Sequence, residues 1–194
     1  TNNGATITSG IRGSAYSFNG SSSYIELSQP MGDLFSNSFT VSMWCYFNDD
    51  SRGILFGDYQ RPNASGINLE KNTSRRLRFY WNGAPDINSP TNAVPLQEWC
   101  LVAFTRDKLG AQVTMWVNGV NIHTYSGEIV DRTASSLHLI GRDNRTGTTT
   151  VDGKIADVRI YNRALSPEEI KILYGVTKPN AIPMQLSNDG TVYL

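Results

Sequence analysis

A nine-residue run of alternating side chains constrains the fold of this chain more than any other feature. In FTVSMWCYF (39–47), the apolar side chains that share one face of an extended strand are Phe39, Val41, Met43, Cys45 and Phe47. Successive side chains of a β-strand point to opposite faces, so the shared face must be buried against a core. The run therefore predicts a β-sheet with at least one buried face.

Shorter strands of the same kind follow one another along the chain. We expect them at 15–18, 24–27, 53–56, 77–81, 101–105, 137–140 and 155–161. The strand at 77–81 stops at Asn82-Gly83, and VTMWV (113–117) resumes at 120–123 after Asn118-Gly119. The second case predicts a hairpin with a type I′ turn, because Asn and Gly tolerate the positive φ that both central residues need. Turns recur about every 8–12 residues, which is typical of a sandwich or barrel.

One segment, 166–174, is predicted to be a helix. Ser166 fits the N-cap, Pro167 the first helical position, Glu169 the third position of a capping box and Gly175 the C′ position. We expect its apolar face to pack on an edge or an open end of the sandwich; that face carries Ile170, Leu173 and Tyr174.

The length and the charge of the chain limit both its fold and the partners that it can bind. The 194 residues suit a single all-β domain. The 17 basic and 17 acidic residues cancel without a like-charged run, so no nucleic-acid partner or anionic membrane is expected. No apolar stretch is long enough for a membrane span. Because the chain begins with Thr1, we interpret it as part of a longer protein.

The two cysteines, Cys45 and Cys100, lie in apolar strand-like segments. We expect two buried free thiols, which behave as small apolar side chains. A disulfide is the alternative if their strands are adjacent. Their spacing does not match a zinc site, and the redox compartment stays open.

A series of segments between about Gly13 and Gly175 is similar to a known family. The segments are AYSFNGSSSYIEL, SFTVSMWCYF, EWCLVAFTRD, VTMWVNGVNI, LHLIG and VDGKIADVRIYNRALSPEEIKILYG. The chain resembles the laminin-G-like jelly-roll domains of the concanavalin A-like lectin and glucanase superfamily. The resemblance implies an all-β fold of two antiparallel sheets in a jelly roll, one of them concave, with ligands at the concave face or at loops on one rim.

The superfamily also includes glucanases, so we ask whether this chain has the pair of carboxylates that glycoside hydrolysis needs. Glucanases of this fold place them on one strand as Glu-x-Asp-x-Glu, and this chain lacks that string. His123 and His138 stand in strand contexts without a neighbouring nucleophile or metal motif. We therefore expect no enzyme activity. A glycoside hydrolase relative stays the alternative, because carboxylates from different strands can meet in space.

The resemblance implies calcium at a rim of the sandwich. Asp157 matches an acidic position of the family, whereas the neighbouring position, often acidic in relatives, is Ala156. A β-bulge would be needed to turn the Asp157 carboxylate outward. The partner segment is the turn at 19–23, whose oxygens belong to Asn19, Ser21 and Ser23, the last standing where relatives often carry an acid. The alternative is that Asp157 pairs with Arg159 or Arg163, or accepts backbone N–H bonds.

Sugar-binding surfaces combine an aromatic face with planar polar groups. Arg78 and Tyr80 lie opposite the apolar set of the 77–81 strand, so they are candidates for ligand contact. Polar loops after the strands at 53–56 and 137–140 supply further candidates, which are Asp58, Tyr59, Arg142 and Asn144. The alternative for each loop is a solvated segment without a ligand. We expect the four tryptophans to be packing residues.

We divide the chain into a laminin-G-like domain at 1–175 and a segment at 176–194 that forms a linker and the start of a following module or assembly strand. The predicted function is a non-catalytic recognition module that binds glycan or polysaccharide. Its setting would be a larger cell-surface, secreted or virion protein, outside the cell, with cell adhesion as one use. The alternative is a structural or protein-interaction module, such as a fibre or decoration domain, oligomeric through its tail.

Overall fold

The chain folds into two antiparallel sheets of seven strands each, with a helix near the C-terminus. The computed structural model describes residues 1–27, 35–57, 66–81, 85–129, 138–143 and 150–178, and the backbone of 185–186 and 192–193. This architecture confirms the predicted two-sheet jelly-roll sandwich with one short C-terminal helix.

The first sheet, sheet A, has the strand order β1-β4-β13-β6-β7-β8-β9. Its strands are β1 (Asn2–Asn3), β4 (Tyr24–Leu27), β6 (Gly53–Gly57), β7 (Ile67–Lys71), β8 (Leu77–Trp81), β9 (Ile87–Asn88) and β13 (His138–Ile140). All pairings are antiparallel, and a register shift between Ile54 and Phe56 marks a bulge in β6.

The second sheet, sheet B, has the order β12-β11-β10-β5-β14-β3-β2. Its strands are β2 (Thr6–Ser9), β3 (Ser14–Asn19), β5 (Phe39–Phe47), β10 (Trp99–Asp107), β11 (Gln112–Val117), β12 (Val120–Ser126) and β14 (Asp152–Tyr161). A two-stranded ribbon of β15 (Gln185–Leu186) and β16 (Val192–Tyr193) follows the helix.

The core lies between the sheets and follows the predicted alternation. The apolar set of β5 faces inward, where Phe39 stacks near Phe79 and Trp81 of sheet A. Cys45 and Cys100 are direct cross-strand partners, and both are buried free thiols. Burial raises the pKa of Cys100 to about 12 and also raises that of Cys45, so both stay protonated.

The Asn118-Gly119 hairpin forms as the sequence predicts. Val117 pairs with Val120, and the two turn residues have φ of 51° and 81°. The Asn82-Gly83 turn lies outside the described residues.

The helix α1 spans Pro167–Thr177 and begins as expected, with a complete capping box between Ser166 and Glu169. Two expectations about it are wrong. The helix does not end at Gly175 but continues to Thr177, because the extended Lys178 caps it by donating its N–H to Tyr174 O. It also packs on the outer face of sheet B and not on an edge or open end, because apolar side chains of that face receive Ile170 and Leu173.

Sequence patterns missed several strands, of which β7 matters most for function. Its residues INLEK alternate, but three of the five are polar, and all five are buried in the structure. The strands β1, β2 and β9 were missed because they are short and rich in polar residues.

Candidate functional site

The outer face of sheet A carries polar side chains on both sides of the buried Leu139 and Ile54, and we call these polar side chains the polar face. In β7 and β8 the core set is Ile67, Leu69, Leu77, Phe79 and Trp81, so the alternate residues point outward. The helix lies on the other sheet, so it does not cover this face. The strand residues of the polar face are Tyr24, Glu26, Asn68, Glu70, Arg78 and Tyr80.

Glu70 is the centre of a charged network on the polar face. Its carboxylate is fully buried and accepts hydrogen bonds from Arg52 Nη2 at 2.6 Å, from Arg52 Nε at 3.2 Å and from Arg78 Nη1 at 2.9 Å. Arg78 also pairs with Asp86. A buried carboxylate needs such partners, because burying an uncompensated charge costs several kcal/mol. The network therefore fixes the position of both guanidinium groups.

Arg78 stacks on the ring of Tyr80, with its guanidinium carbon 5.0 Å from the ring centre. Burial lowers the pKa of Arg78, but hydrogen bonds to Asp86 and Glu70 outweigh burial and raise it above the ordinary guanidinium value. The side chain is therefore a permanent cation. Tyr80 and Arg78 form one rigid unit in which a phenol and a guanidinium lie side by side.

A second arginine–tyrosine pair lies on the same sheet, beside β4. The guanidinium carbon of Arg142 is 4.8 Å from the ring centre of Tyr24. The next residue, Asp143, is buried and accepts a hydrogen bond from Asn68 Nδ2 at 2.9 Å. Asn68 is the cross-strand partner of Tyr80, so the hydrogen bond links the two pairs across the sheet.

Gly57 in β6 allows this link to form. A Cβ at position 57 would lie 2.4 Å from Asn68 Oδ1 and 3.3 Å from the Asp143 Cβ. Any larger residue would therefore push Asn68 and Asp143 aside. The absent side chain lets the segment after β13 approach the outer side of the sheet closely.

The structure brings some of the predicted ligand residues together. Arg78 and Tyr80 are in contact, and Arg142 lies on the same sheet against Tyr24. Asp58, Tyr59 and Asn144 lie outside the described residues. Sequence reasoning missed most of the residues that hold these groups in place, which are Arg52, Gly57, Asn68 and Glu70. The alternation of Ile67 and Leu69 with Asn68 and Glu70 could have revealed that these two polar residues share one face.

The turn at 19–23, one half of the predicted calcium site, is held by its own hydrogen bonds. The side-chain oxygen of Asn19 accepts the backbone N–H groups of Ser21, Ser22 and Ser23 at 2.9–3.1 Å. Ser23 is buried, and its Oγ accepts the N–H of Asn19 at 2.8 Å. Asn19 therefore acts as the organiser of this turn.

Asp157, the other half, sits in a bulge of the kind that a calcium site at this position would need. The register of β14 against β5 shifts between Ala156 and Arg159, and Asp157 has a φ of 48°. Its two carboxylate oxygens accept hydrogen bonds from Arg159 Nε at 2.8 Å and Nη2 at 2.9 Å. The alternative in which Asp157 pairs with Arg159 is thus the arrangement in the structure.

The structure does not bring these two halves together. Asn19 pairs with Asp152, and the β14–β3 ladder runs from there to Ile155 opposite Tyr16. Asp157 lies five residues beyond Asp152 along β14, so at about 3.3 Å per residue it is roughly 15 Å from the turn. This estimate places the two halves of the predicted site apart, and within the described ranges no three His, Cys, Asp or Glu residues cluster around a metal position. Calcium binding stays a prediction.

His138 lies in the core, where its ring is 5.3 Å from that of Phe35 and 6.0 Å from that of Phe56. Burial lowers the pKa of His138 to about 4, so the imidazole is neutral at pH 7. Its location agrees with the prediction of an ordinary strand residue.

The four tryptophans are packing residues, as expected, but in two different places. Trp81 belongs to the core between the sheets. Trp44 and Trp116 lie on the outer face of sheet B beneath the helix, with Trp99 partly buried beside them. In the part of the chain that the structure describes, no helix has the length and apolar character to cross a membrane.

Solved structures with the same fold include several domains from carbohydrate-active proteins. Domain 4 of an extracellular GH43 arabinanase from Geobacillus stearothermophilus, in complex with arabinotriose, is 22% identical, with a TM-score of 0.69 over 88% of this chain and 81% of that domain. The CBM40 of an IT-sialidase from Ruminococcus gnavus, bound to α2,3-sialyllactose, is 19% identical, with a TM-score of 0.63 over 78% and 96%.

A native heptameric SAP-like pentraxin from Limulus polyphemus is 16% identical, with a TM-score of 0.69 over 90% of this chain and 86% of that chain. At these identities the likeness shows the fold alone. A search of curated protein sequences finds no match.

The family comparison covers most of the chain. The model described as the concanavalin A-like lectin/glucanases superfamily, of laminin-G type, matches residues 19–171. The chain therefore belongs to the concanavalin A-like lectin/glucanase superfamily.

Proposed function

We propose that this chain is a non-catalytic recognition module that binds glycan on its polar face. The observation that carries the proposal is the Arg78–Tyr80 pair, which the buried carboxylate of Glu70 holds in place. Two of the domains with this fold are bound to saccharides, one to arabinotriose and one to α2,3-sialyllactose. These domains support glycan recognition as a use of the fold without identifying the sugar.

The chemistry of the two pairs suits a saccharide. A pyranose presents C–H bonds on its faces and hydroxyl groups at its edges, so it packs on an aromatic ring while planar polar groups bond its edges. Each pair offers a phenol ring beside a guanidinium that donates several hydrogen bonds. Because the pairs lie on β8 and beside β4, a chain of several sugar units fits this arrangement better than a single unit.

Preorganisation adds to the argument. Ordering a long side chain on binding costs about 0.5–1.5 kcal/mol, and this cost falls when the side chain is already fixed. Arg78 is held by Glu70, Asp86 and the Tyr80 ring before any ligand arrives.

The proposed setting is extracellular, as an appendage of a larger cell-surface, secreted or virion protein. The second candidate function is a structural or protein-interaction module. It is favoured by Ile7 on the edge strand β2, which is 72% exposed beside its partner Tyr16 at 38%. Exposed apolar side chains on a strand edge are typical of surfaces that pair with another chain.

A glycan array with matched variants tests the proposal. We expect wild type to bind a defined set of glycans, and Tyr80→Ala to weaken binding at least tenfold, about 1.4 kcal/mol. Tyr16→Ala is the matched control, because this partly exposed tyrosine lies on the other sheet, and it should bind as wild type does. An array without binding, or equal binding by Tyr80→Ala, would contradict the proposal. If the chain self-associates and Ile7→Asp converts it to a monomer, the result would instead support the structural or protein-interaction module.

Calcium is tested by thermal unfolding with and without a chelator. We predict that millimolar calcium raises the melting temperature by mass action. Since the two halves of the predicted site are separate, Asp157→Ala and Asn19→Ala distinguish them. The variant that abolishes the rise identifies the half that binds. If calcium does not raise the melting temperature of wild type, the prediction of calcium binding is wrong.

A further inference from the structure

The helix covers only part of the outer face of sheet B, and the uncovered part forms a groove. It lies between the start of the helix and the edge strand β12, and it encloses about 460 Å³. Its floor is made by outward residues of β10, β11 and β12, and its wall by residues 163–167. We call it the helix-side groove.

The floor of the groove is an ordered set of hydroxyl and amide groups. Thr114 Oγ1 lies 3.2 Å from Thr124 Oγ1, and Asn121 Nδ2 donates to Thr124 Oγ1 at 3.0 Å. Trp116 Nε1 donates to Thr105 Oγ1 at 3.1 Å, so the polar edge of the indole is already satisfied. Trp116 is buried beneath these groups and closes the bottom of the groove.

The wall is held rigidly against β5. Thr40 Oγ1 donates to the carbonyl of Arg163 at 2.9 Å and accepts the N–H of Leu165 at 2.9 Å. The side chains of Ala164 and Pro167 add apolar surface to the wall. Both wall and floor are thus formed before a ligand binds, which reduces the ordering cost of binding.

The charges of the groove argue against an anionic ligand. Both oxygens of Glu169 accept hydrogen bonds from Arg163 at 2.7 Å, so the cation of the wall is balanced by a carboxylate. Asp107 adds a further negative charge at the end of the floor. A phosphate or sulfate ligand would meet net repulsion, whereas a neutral ligand with hydroxyl groups would not.

We propose that the helix-side groove binds a short neutral saccharide. The Asp107 carboxylate can accept two hydroxyl groups of a sugar, and the exposed amides of Gln112 and Asn121 can both donate and accept. The C–H face of a sugar ring would pack against Ala164 and Pro167 of the wall. This site extends the proposed glycan recognition to the opposite side of the domain, and it does not depend on the polar face. One domain with two such sites could bridge two glycan chains.

The test is a titration of the ¹⁵N-labelled chain with lactose, maltotriose and arabinotriose, followed by amide chemical shifts. We expect saturable shift changes at 112–124 and 163–167 with at least one of the three sugars. The double variant Gln112→Ala/Asn121→Ala should weaken that binding at least tenfold. Thr6→Ala on β2, an exposed position on the opposite edge of the same sheet, is the control and should bind as wild type does.

The two proposals fail separately. Tyr80→Ala should leave the shift changes in the groove unaltered, because the two faces belong to different sheets. If none of the three sugars shifts the groove amides, or if the double variant binds as wild type does, the groove is not a saccharide site. Shift changes confined to sheet A would leave the proposed function standing and overturn only the groove.

Discussion

The two outer faces of the sandwich have opposite characters, although both are built on strands with the same inward-facing core. Beneath the helix, the outer face of sheet B presents Trp44, Leu101 and Ala103. The outer face of sheet A presents Asn68, Glu70 and Arg78 and is stabilised by ion pairs and hydrogen bonds. The part of sheet B beneath the helix is stabilised by apolar burial, whereas the outer face of sheet A is stabilised because its charges are compensated.

This difference separates stability from recognition. Apolar side chains beneath a helix contribute to folding through burial, at about 25 cal/mol for each Å² removed from water. On the outer face of sheet A, Asn68 and Glu70 are buried, whereas Arg78 and Tyr80 are partly exposed and remain available to a ligand. Substitutions beneath the helix should therefore change stability most, whereas substitutions on the polar face should also change binding.

The largest expected effect is on the covered face. Trp44→Ala should lower the free energy of unfolding by about 3–5 kcal/mol, because it removes a fully buried indole that packs 5.8 Å from the ring of Tyr174. Urea unfolding measures the change. Leu109→Ala, at a position that is 97% exposed, should change stability by less than about 0.5 kcal/mol. Equal stability of both variants would show that the helix does not pack as described.

On the polar face the expected loss of stability is smaller, but binding should be lost with it. Glu70→Gln removes the charge that compensates Arg52 and Arg78, and we expect a cost of about 1–3 kcal/mol. Glycan affinity measured by calorimetry should fall, because Arg78 is no longer fixed. The exposed Glu128→Gln is the matched control and should change neither quantity. If Glu70→Gln binds glycan with wild-type affinity, the network has no role in recognition.

The helix cap should have a smaller effect. Ser166→Ala removes the side-chain oxygen that accepts the Glu169 N–H at 3.2 Å, and N-cap removal costs about 1 kcal/mol. Ser126→Ala, at an exposed position of β12, is the control in the same urea measurement. A loss as large as that of Trp44→Ala would mean that the cap holds the whole helix in place.

The smallest effect should come from titration of the cap. A hydrogen bond from Arg163 and another from the Ser166 backbone lower the pKa of Glu169 to about 2. A carboxylate with a lowered pKa in the folded state stabilises it above its unfolded pKa near 4.5, and this contribution is lost as the pH falls toward 2. Wild type should therefore lose more melting temperature than Glu169→Gln between pH 5 and pH 3. If the melting temperatures of wild type and Glu169→Gln fall equally between pH 5 and pH 3, the titration of Glu169 does not contribute to stability.

The sequence predicted the strands of the core because alternation is a local property. The run at 39–47 contains its own evidence for one buried face, and the capping box contains its own evidence for the start of a helix. The strand β7 was missed because three of its five residues are polar, which leaves only Ile67 and Leu69 to indicate a buried face. The predicted end of the helix was wrong because the sequence does not distinguish a glycine inside the last turn, as Gly175 is, from a glycine just beyond the helix.

For the candidate site, the sequence identified Arg78, Tyr80 and Arg142 as outward polar residues but not what holds them. Glu70 and Arg52 are 18 residues apart, and Asn68 and Asp143 are 75 residues apart. Such contacts depend on which strands become neighbours in a sheet, which no local pattern contains.

The same reason explains the predicted calcium site. Asp157 and the turn at 19–23 each fit a family pattern, and the strand is bulged at Asp157. Only the register of β14 against β3 decided that they lie at opposite ends of a strand. The sequence by itself thus determined which faces are buried and where the helix begins, because periodicity and capping act within a few residues. Strand order and register decided which polar residues meet, because these pairings join segments far apart in the chain.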